Sequence, residues 1–264
     1  VPVFIDQLHR KLQLNAVPKR IVSLVPSQTE LLCDLGLEKD IVGITKFCVH
    51  PNHLRSAKKI VGGTKQVHLD KIAALNPDII LCNKEENSKA MIADLEAIAQ
   101  VHISDIFTIG DSQELIAMYG ELFNKEMVAK ELQESIAQQQ EAFQDYLENK
   151  INLSVAYFIW KSPYMVAANN TFINYILQQN KLDNVFSAEE RYPEIIVEHT
   201  DKNPDLVFLS SEPYPFTKEH INEFESFFPN SKIILVDGEM FSWYGSHLTK
   251  AFDYFKALNE TCLR

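Results

Sequence analysis

Lys19-Arg20-Ile21-Val22-Ser23-Leu24-Val25-Pro26-Ser27-Gln28-Thr29-Glu30-Leu31-Leu32-Cys33-Asp34-Leu35-Gly36 changes character twice in a short space. Ile21 to Val25 is a β-branched, apolar run that stops at Pro26, as a buried strand does. Ser27-Gln28-Thr29-Glu30 then has the S-x-x-E spacing of a capping box, with Leu31, Leu32 and Leu35 at helical spacing behind it. Gly36 supplies the stop. The spacing therefore predicts strand, tight loop and helix, the repeating unit of a parallel α/β fold.

Working outward, the same alternation continues. Asp40–Ile44 reads as a second strand, Ile60-Val61 as a short one, Leu69–Leu75 as a helix and Ile79–Cys82 as a buried strand. Met91, Ile92, Leu95 and Ile98 keep a helical period before the apolar stretch 101–103. From Ser112 to Leu147 the pattern becomes purely helical, predicting one shorter helix and then a long one from Glu126 to Asn149. Beyond it the alternation resumes, with strands at 155–159, 206–209 and 233–236 and a helix at 171–178. Asn76-Pro77-Asp78-Ile79-Ile80-Leu81 is echoed by Asn203-Pro204-Asp205-Leu206-Val207-Phe208, which suggests a duplicated unit. The expected organisation is an α/β lobe over 1–125, a connecting helix over 126–150 and a second α/β lobe over 151–264.

Composition narrows the function. The chain has 264 residues, 46% hydrophobic and 23% charged, with a net charge of −11. That excludes a disordered or low-complexity protein. The absence of a basic run argues against a nucleic-acid partner. No apolar run approaches the ~20 residues that span a bilayer. Cys33, Cys48, Cys82 and Cys262 are far apart and form no CxxC pair, so a disulfide framework is not expected. The opening residues show no basic and apolar leader pattern, which leaves export and a cytoplasmic location both open.

No nucleotide-loop, Walker, nucleophile-elbow or zincin motif occurs, so no catalytic residue and no cofactor is expected. Cys48, His50 and His53 have spacing that could place soft ligands on a metal, but a fourth ligand is missing and an ordinary loop is the reading taken. Aromatic residues instead gather where strands are expected to end: Phe47; Trp160, Pro163 and Tyr164; Tyr192-Pro193; Tyr214 and Phe216; Phe241, Trp243 and Tyr244. Loops after strand C-termini form the ligand crevice of parallel α/β sheets, and rings with polar handles suit a flat, bulky ligand. Pro26 and Ser27 at the first helix start, and Lys84-Glu85 after the Ile79 strand, would add polar contacts. Asp70 and Glu198 lie shortly before the two Asn-Pro-Asp echoes, where a matched pair of carboxylates could dock a two-fold symmetric partner.

Taken together, Arg20–Glu30, Val42-Gly43-Ile44, Gly62-Gly63 and Leu69–Asp78 resemble the substrate-binding proteins of ABC importers for cobalamin and iron complexes. These are the helical-backbone, class III periplasmic binding proteins, and the likeness is closest to the vitamin B12-binding branch. Asp6–Arg10 is similar to the short hairpin that opens such chains. The resemblance implies two Rossmann-like lobes with parallel sheets, joined by one long rigid helix, with the ligand clasped between them by rings from both. On it, Phe47 stands where that branch has a tyrosine, Trp160 where it has a phenylalanine and Tyr192 where it has a tryptophan. Glu239 and Trp243 fall in a further contact loop, and Thr64 and Asn83 replace two tryptophans. Asp70 and Glu198 match carboxylates that face arginines of the permease.

The implied function is capture of a corrinoid or iron-chelate ligand, which carries any metal itself, and its delivery to an ABC permease by a monomer in the periplasm. The alternatives are a haem-binding protein of the same fold, or a leaderless cytoplasmic carrier or enzyme acting on a corrinoid or metal complex.

Overall fold

The structure is a computed structural model that describes residues 3–262. The chain divides into two compact units: the first comprises 1–137 together with 244–247, and the second 138–243 with 248–264.

In the first unit, β1 (Val3–Ile5) and β2 (Lys11–Gln13) form an antiparallel hairpin. Asp6 pins it. One of its carboxylate oxygens accepts the Leu8 and Arg10 N–H groups (3.0 and 2.9 Å), and the other accepts that of Ile103 (3.2 Å). There follow β3 (Ile21–Ser23), α1 (Pro26–Asp34), β4 (Ile41–Ile44), α2 (Leu54–Ala57), β5 (Lys59–Ile60), α3 (Leu69–Ala74), β6 (Ile79–Asn83), α4 (Lys89–Glu96), β7 (Gln100–Ser104) and α5 (Ile109–Leu122). The sheet is parallel throughout, in the order β5-β4-β3-β6-β7. Val22, Leu24, Ile72, Ile80, Cys82, Leu95 and Ile103 fill its core. Gly36, at φ +74°, closes α1 as its sequence position suggests, and the Leu37 N–H returns to the Leu32 carbonyl at 2.9 Å.

The capping box expected at Ser27 is not formed. Helix α1 starts two residues earlier, with Val25 at the N-cap and Pro26 in the first turn, and no side chain caps it. Proline fits that position because its missing N–H would have been unpaired there anyway. Glu30 is committed elsewhere: its carboxylate lies 2.7 Å from Nδ1 of His247, both side chains being buried.

The long helix α6 (Glu126–Leu147) ends two residues before the expected Asn149, and the division between the units falls within it. Its first part is tied to α5 by reciprocal amide bonds between Gln113 and Gln133 (3.2 and 2.9 Å). Its last part packs Phe143 against Phe252 and Phe255 in the second unit.

The second unit contains β8 (Leu153–Trp160), β9 (Tyr164–Val166), α7 (Phe172–Gln179), β10 (Leu182–Asn184), β11 (Glu194–Ile195), β12 (Leu206–Ser210), α8 (Ile221–Phe227), β13 (Lys232–Val236), α9 (Gly238–Ser242) and α10 (Leu248–Cys262). β10, β8, β12 and β13 are parallel, whereas β9 and β11 extend the sheet antiparallel. β8 carries β12 on one edge; on the other, β10 pairs with its first half and β9 with its second. This corrects the reading of Trp160, Pro163 and Tyr164 as a post-strand loop. Trp160 ends β8, and Tyr164 opens the returning arm of a hairpin. Likewise Tyr192-Pro193 leads into β11 and a 3-10 turn at Val197–His199, not directly into an α-helix.

The Asn-Pro-Asp echo has a structural counterpart. The Asp78 carboxylate accepts the N–H groups of Lys19 and Arg20 just before β3 (2.7 and 2.9 Å). The Asp205 carboxylate accepts the N–H and hydroxyl of Ser154 in β8 (2.7 and 2.6 Å). Each aspartate thus clasps the start of the strand beside its own.

Candidate functional site

The polar residues at the C-terminal edge of the first unit's sheet are largely committed to one another. The Asn83 side-chain carbonyl accepts the Glu85 and Glu86 N–H groups (2.8 and 3.1 Å), and its amide donates to Ser104 (2.9 Å). Gln28 donates to Ser104 and to the Tyr244 oxygen (2.6 and 2.9 Å), while the Tyr119 hydroxyl donates to Gln28 (2.7 Å). Asn83 therefore serves as a buried turn lock where the resemblance has a ring. Tyr244, 5% exposed, is a strut of this network, and burial pushes its phenol well up.

Above that floor stand the open groups. Phe47, in the loop after β4, is 48% exposed, with the Lys46 ammonium 4.9 Å from its ring centroid. Lys84, after β6, pairs with Asp105 at 2.6 Å and lies over the Phe107 ring. The Glu85 carbonyl accepts from Lys65 (2.6 Å). Pro26 and Ser27 are buried in the first turn of α1, which has no acidic side chain, so the positive end of its dipole is not neutralised locally.

At the corresponding edge of the second unit, Trp160 is 38% exposed and meets Tyr214 edge-on, with ring centroids 5.8 Å apart. Tyr164 and Lys161 both donate to Glu223, and burial together with that carboxylate raises the Tyr164 phenol. Tyr192 is half-buried beneath the Arg191 guanidinium (5.7 Å), and the adjacent Pro193 carbonyl accepts the Val166 N–H. Glu239 lies in the first turn of α9, its N–H bonded to the Asp237 carboxylate. Trp243 is only 6% exposed; its indole N–H donates to Glu212 (3.0 Å), as does the Ser242 hydroxyl (2.6 Å). Burial raises the Glu212 carboxyl above its usual range despite those two donors.

The rings expected at strand ends thus divide by burial. Trp243, Tyr244, Phe216 and Phe241 are core or near-core, whereas Phe47 and Trp160 are open. Of sixteen Phe, nine Tyr and two Trp, these two alone are exposed. Phe47 lies in the loop after β4 of the first unit, and Trp160 is the last residue of β8 in the second.

Asp70 and Glu198 occupy matching positions. Each is exposed and is the second residue of a short helical turn, and each turn is entered through a residue of nearly the same conformation: His68 at φ −97°, ψ 97° and Ile196 at φ −97°, ψ 100°. Beside them stand the exposed apolar side chains Leu69 and Ile196. The pairing expected from the sequence thus has a backbone counterpart, although the spacing to the Asn-Pro-Asp segment is one residue shorter in the second unit.

The Cys48, His50 and His53 group is dispersed. The Cys48 sulfur is buried within 3.1 Å of the Thr29 hydroxyl, and His53 pairs with Glu38 at 2.8 Å. Among the described residues no group of three or more His, Cys, Asp or Glu side chains could hold a metal ion. No helix of the described residues is long and apolar enough to cross a membrane.

Each unit is built of alternating strands and helices, and α6 contributes to both. Residues 21–231 match the family model described as periplasmic binding protein, and the chain belongs to that family. It is a family of substrate-binding transport proteins, not of enzymes. The chain is 28% identical over 220 residues to an uncharacterised ABC transporter substrate-binding lipoprotein, YvrC, of Bacillus subtilis, covering 78% of this chain and 68% of the relative. Its fold is similar to the periplasmic vitamin B12-binding protein BtuF of Vibrio cholerae (TM-score 0.81, 16% identity, 94% of this chain and 99% of the other). It is also similar to a periplasmic heme-binding protein of Pseudomonas aeruginosa (TM-score 0.80, 20% identity, 91% and 92%).

Proposed function

We propose that this chain captures a corrinoid or iron-chelate ligand, with Phe47 and Trp160 as its ring contacts, and delivers it to the permease of an ABC importer. The observation that carries the reading is that these two aromatic side chains are the exposed ones among the described residues, Phe47 in the loop after β4 and Trp160 at the end of β8. Stacking on a macrocycle recovers the cost of keeping two large apolar rings in water. Lys84, Glu85, Tyr192 and Glu239 set the ligand's orientation from the rims. The ligands named for the similar proteins, vitamin B12 and heme, are both flat metal macrocycles.

Asp70 and Glu198, each beside an exposed apolar residue, are the permease contacts. Two like carboxylates in equivalent settings fit a partner with two-fold related basic sites. The protein works as an exported monomer; the export rests on its relatives' descriptions as periplasmic or lipoprotein.

The test is titration of the purified chain with cyanocobalamin and with haemin, followed by tryptophan fluorescence and calorimetry. Binding of either at one per chain, lost on Phe47→Ala with Trp160→Ala, supports the reading. Failure of both ligands to bind overturns it.

A further inference from the structure

Trp160 stands at the end of a strand whose last residues are irregularly paired. β8 and β9 pair Phe158 with Val166 and Trp160 with Met165, so β8 carries one extra residue between the two pairs. A bulge of this kind bends the strand and re-aims its side chains. On the other edge the Tyr214 N–H donates to the Ile159 carbonyl at 3.2 Å, and the Tyr214 ring meets Trp160 edge-on. Neither contact fixes the turn that follows. Ser162 sits there at φ +64°, a left-handed conformation that is costly for a residue with a side chain. Such a turn keeps its shape only where its surroundings pin it.

Glu223, in α8, supplies the pin. One of its carboxylate oxygens accepts from the Lys161 ammonium, just before Ser162, and the other from the Tyr164 hydroxyl, just beyond Pro163. The Tyr164 ring lies edge-on to Phe224 and Phe227 of the same helix, with centroids 5.6 and 5.9 Å apart. Burial works against a charge on Glu223, but the two donated bonds outweigh it and hold its carboxyl below the usual range. Burial and that carboxylate raise the Tyr164 phenol, so Tyr164 remains the donor. Two charge-assisted bonds on one half-buried anchor hold more firmly than an exposed ion pair does.

Resting on the chelate-binding reading above, we propose that Glu223 is a positioning residue for the ligand site: by clasping both arms of the β8–β9 hairpin from α8, it holds Trp160 in the pose that meets the ligand. Glu223 acts through the hairpin and is not itself a ligand contact. A ring already held in place loses less freedom when the ligand arrives, so the clasp contributes to affinity by preorganisation.

The full chain labelled with fluorotryptophan carries two fluorine reporters, and the Trp160 signal is the one that Trp160→Phe removes. Glu223→Ala should shift and broaden the Trp160 signal in fluorine NMR and leave that of Trp243 in place, which also shows that the unit is folded. Lys161→Met with Tyr164→Phe, which removes both donors but keeps the ring packing, should do the same. Calorimetry with haemin and with cyanocobalamin gives the second readout. Glu223→Ala should weaken whichever ligand binds by about three- to tenfold. In a Trp160→Ala background it should weaken binding no further, whereas a residue that merely supports the fold would add its full loss there.

A Trp160 signal unmoved by Glu223→Ala overturns the proposal, and so do losses that add in full; both results leave the chelate-binding reading in place. Binding indifferent to Trp160→Ala, or no binding of either ligand, removes the reading and the proposal together.

Discussion

His102 offers a way to test the first unit's core through pH. It lies in β7, fully buried, its ring edge-on to Tyr119 at 5.2 Å, and neither ring nitrogen has a hydrogen-bond partner. Burial lowers its pKa from 6.5 to about 4, with Arg10 acting in the same direction and the nearby Asp6 carboxylate opposing. In the unfolded chain the imidazole is free to protonate near 6.5. The unfolded state thus binds the extra proton first, and stability falls as pH drops from 6.5 towards 4. At pH 4.5 this one group costs about 2.5 kcal/mol relative to pH 7.

Leucine is close in volume and has no proton to gain. His102→Leu should be at least as stable as the parent at pH 7, because two unpaired polar atoms leave the core. It should then gain about 2.5 kcal/mol over the parent at pH 4.5. Urea unfolding by far-ultraviolet circular dichroism measures both differences, and comparing the same pair of proteins cancels the titration of every other carboxylate. NMR titration of the His102 ring gives its pKa directly. Equal stability differences at the two pH values, or a ring that titrates near 6.5, would refute the reasoning.

Other expectations concern the proposed site and its support. Phe47→Ala and Trp160→Ala should each weaken ligand binding at least tenfold, about 1.4 kcal/mol, without loss of fold, since both rings are exposed; calorimetry with circular dichroism separates the two effects. Asp70→Ala and Glu198→Ala should leave ligand affinity unchanged and reduce uptake by the reconstituted importer; undiminished uptake would remove their assigned role. Gly238→Ala should destabilise the second unit by about 1–3 kcal/mol, read in thermal unfolding, because a Cβ there would lie 2.3 Å from the Ser210 hydroxyl and 2.6 Å from the Glu212 side chain.

The strand–helix alternation was legible because it depends on local pattern. β3 and α1 follow Ile21–Gly36 closely, and the long helix follows its 3.6-residue period. What was not legible depends on pairing at a distance. Ser27-Gln28-Thr29-Glu30 has the spacing of a capping box, yet Glu30 meets His247, more than two hundred residues away. The hairpin after Trp160 could not be read from composition, since β9 and β11 are short and pair only because β8 offers the second half of an edge. Aromatic clustering located some strand ends but not those at Tyr164 and Tyr192, which enter strands, and it could not separate the open rings, Phe47 and Trp160, from Trp243 and Tyr244. The latter pair is held by Glu212, from the loop after β12, and by Gln28, from α1.

Residues Tyr244–His247 have a consequence for the order in which the molecule can be made. They belong to the first unit, where Tyr244 accepts from Gln28, the Gly245 N–H donates to the Ser112 hydroxyl (2.8 Å) and His247 pairs with Glu30. During synthesis from the N-terminus, α1 and α5 are finished long before these partners exist. Until residue 247 has emerged, Gln28, Glu30 and Ser112 each lack one of the partners they have in the finished core. The N-terminal half therefore cannot close ahead of the C-terminal half, and a chain interrupted before Tyr244 is left with an unsealed first unit as well as a shortened second one.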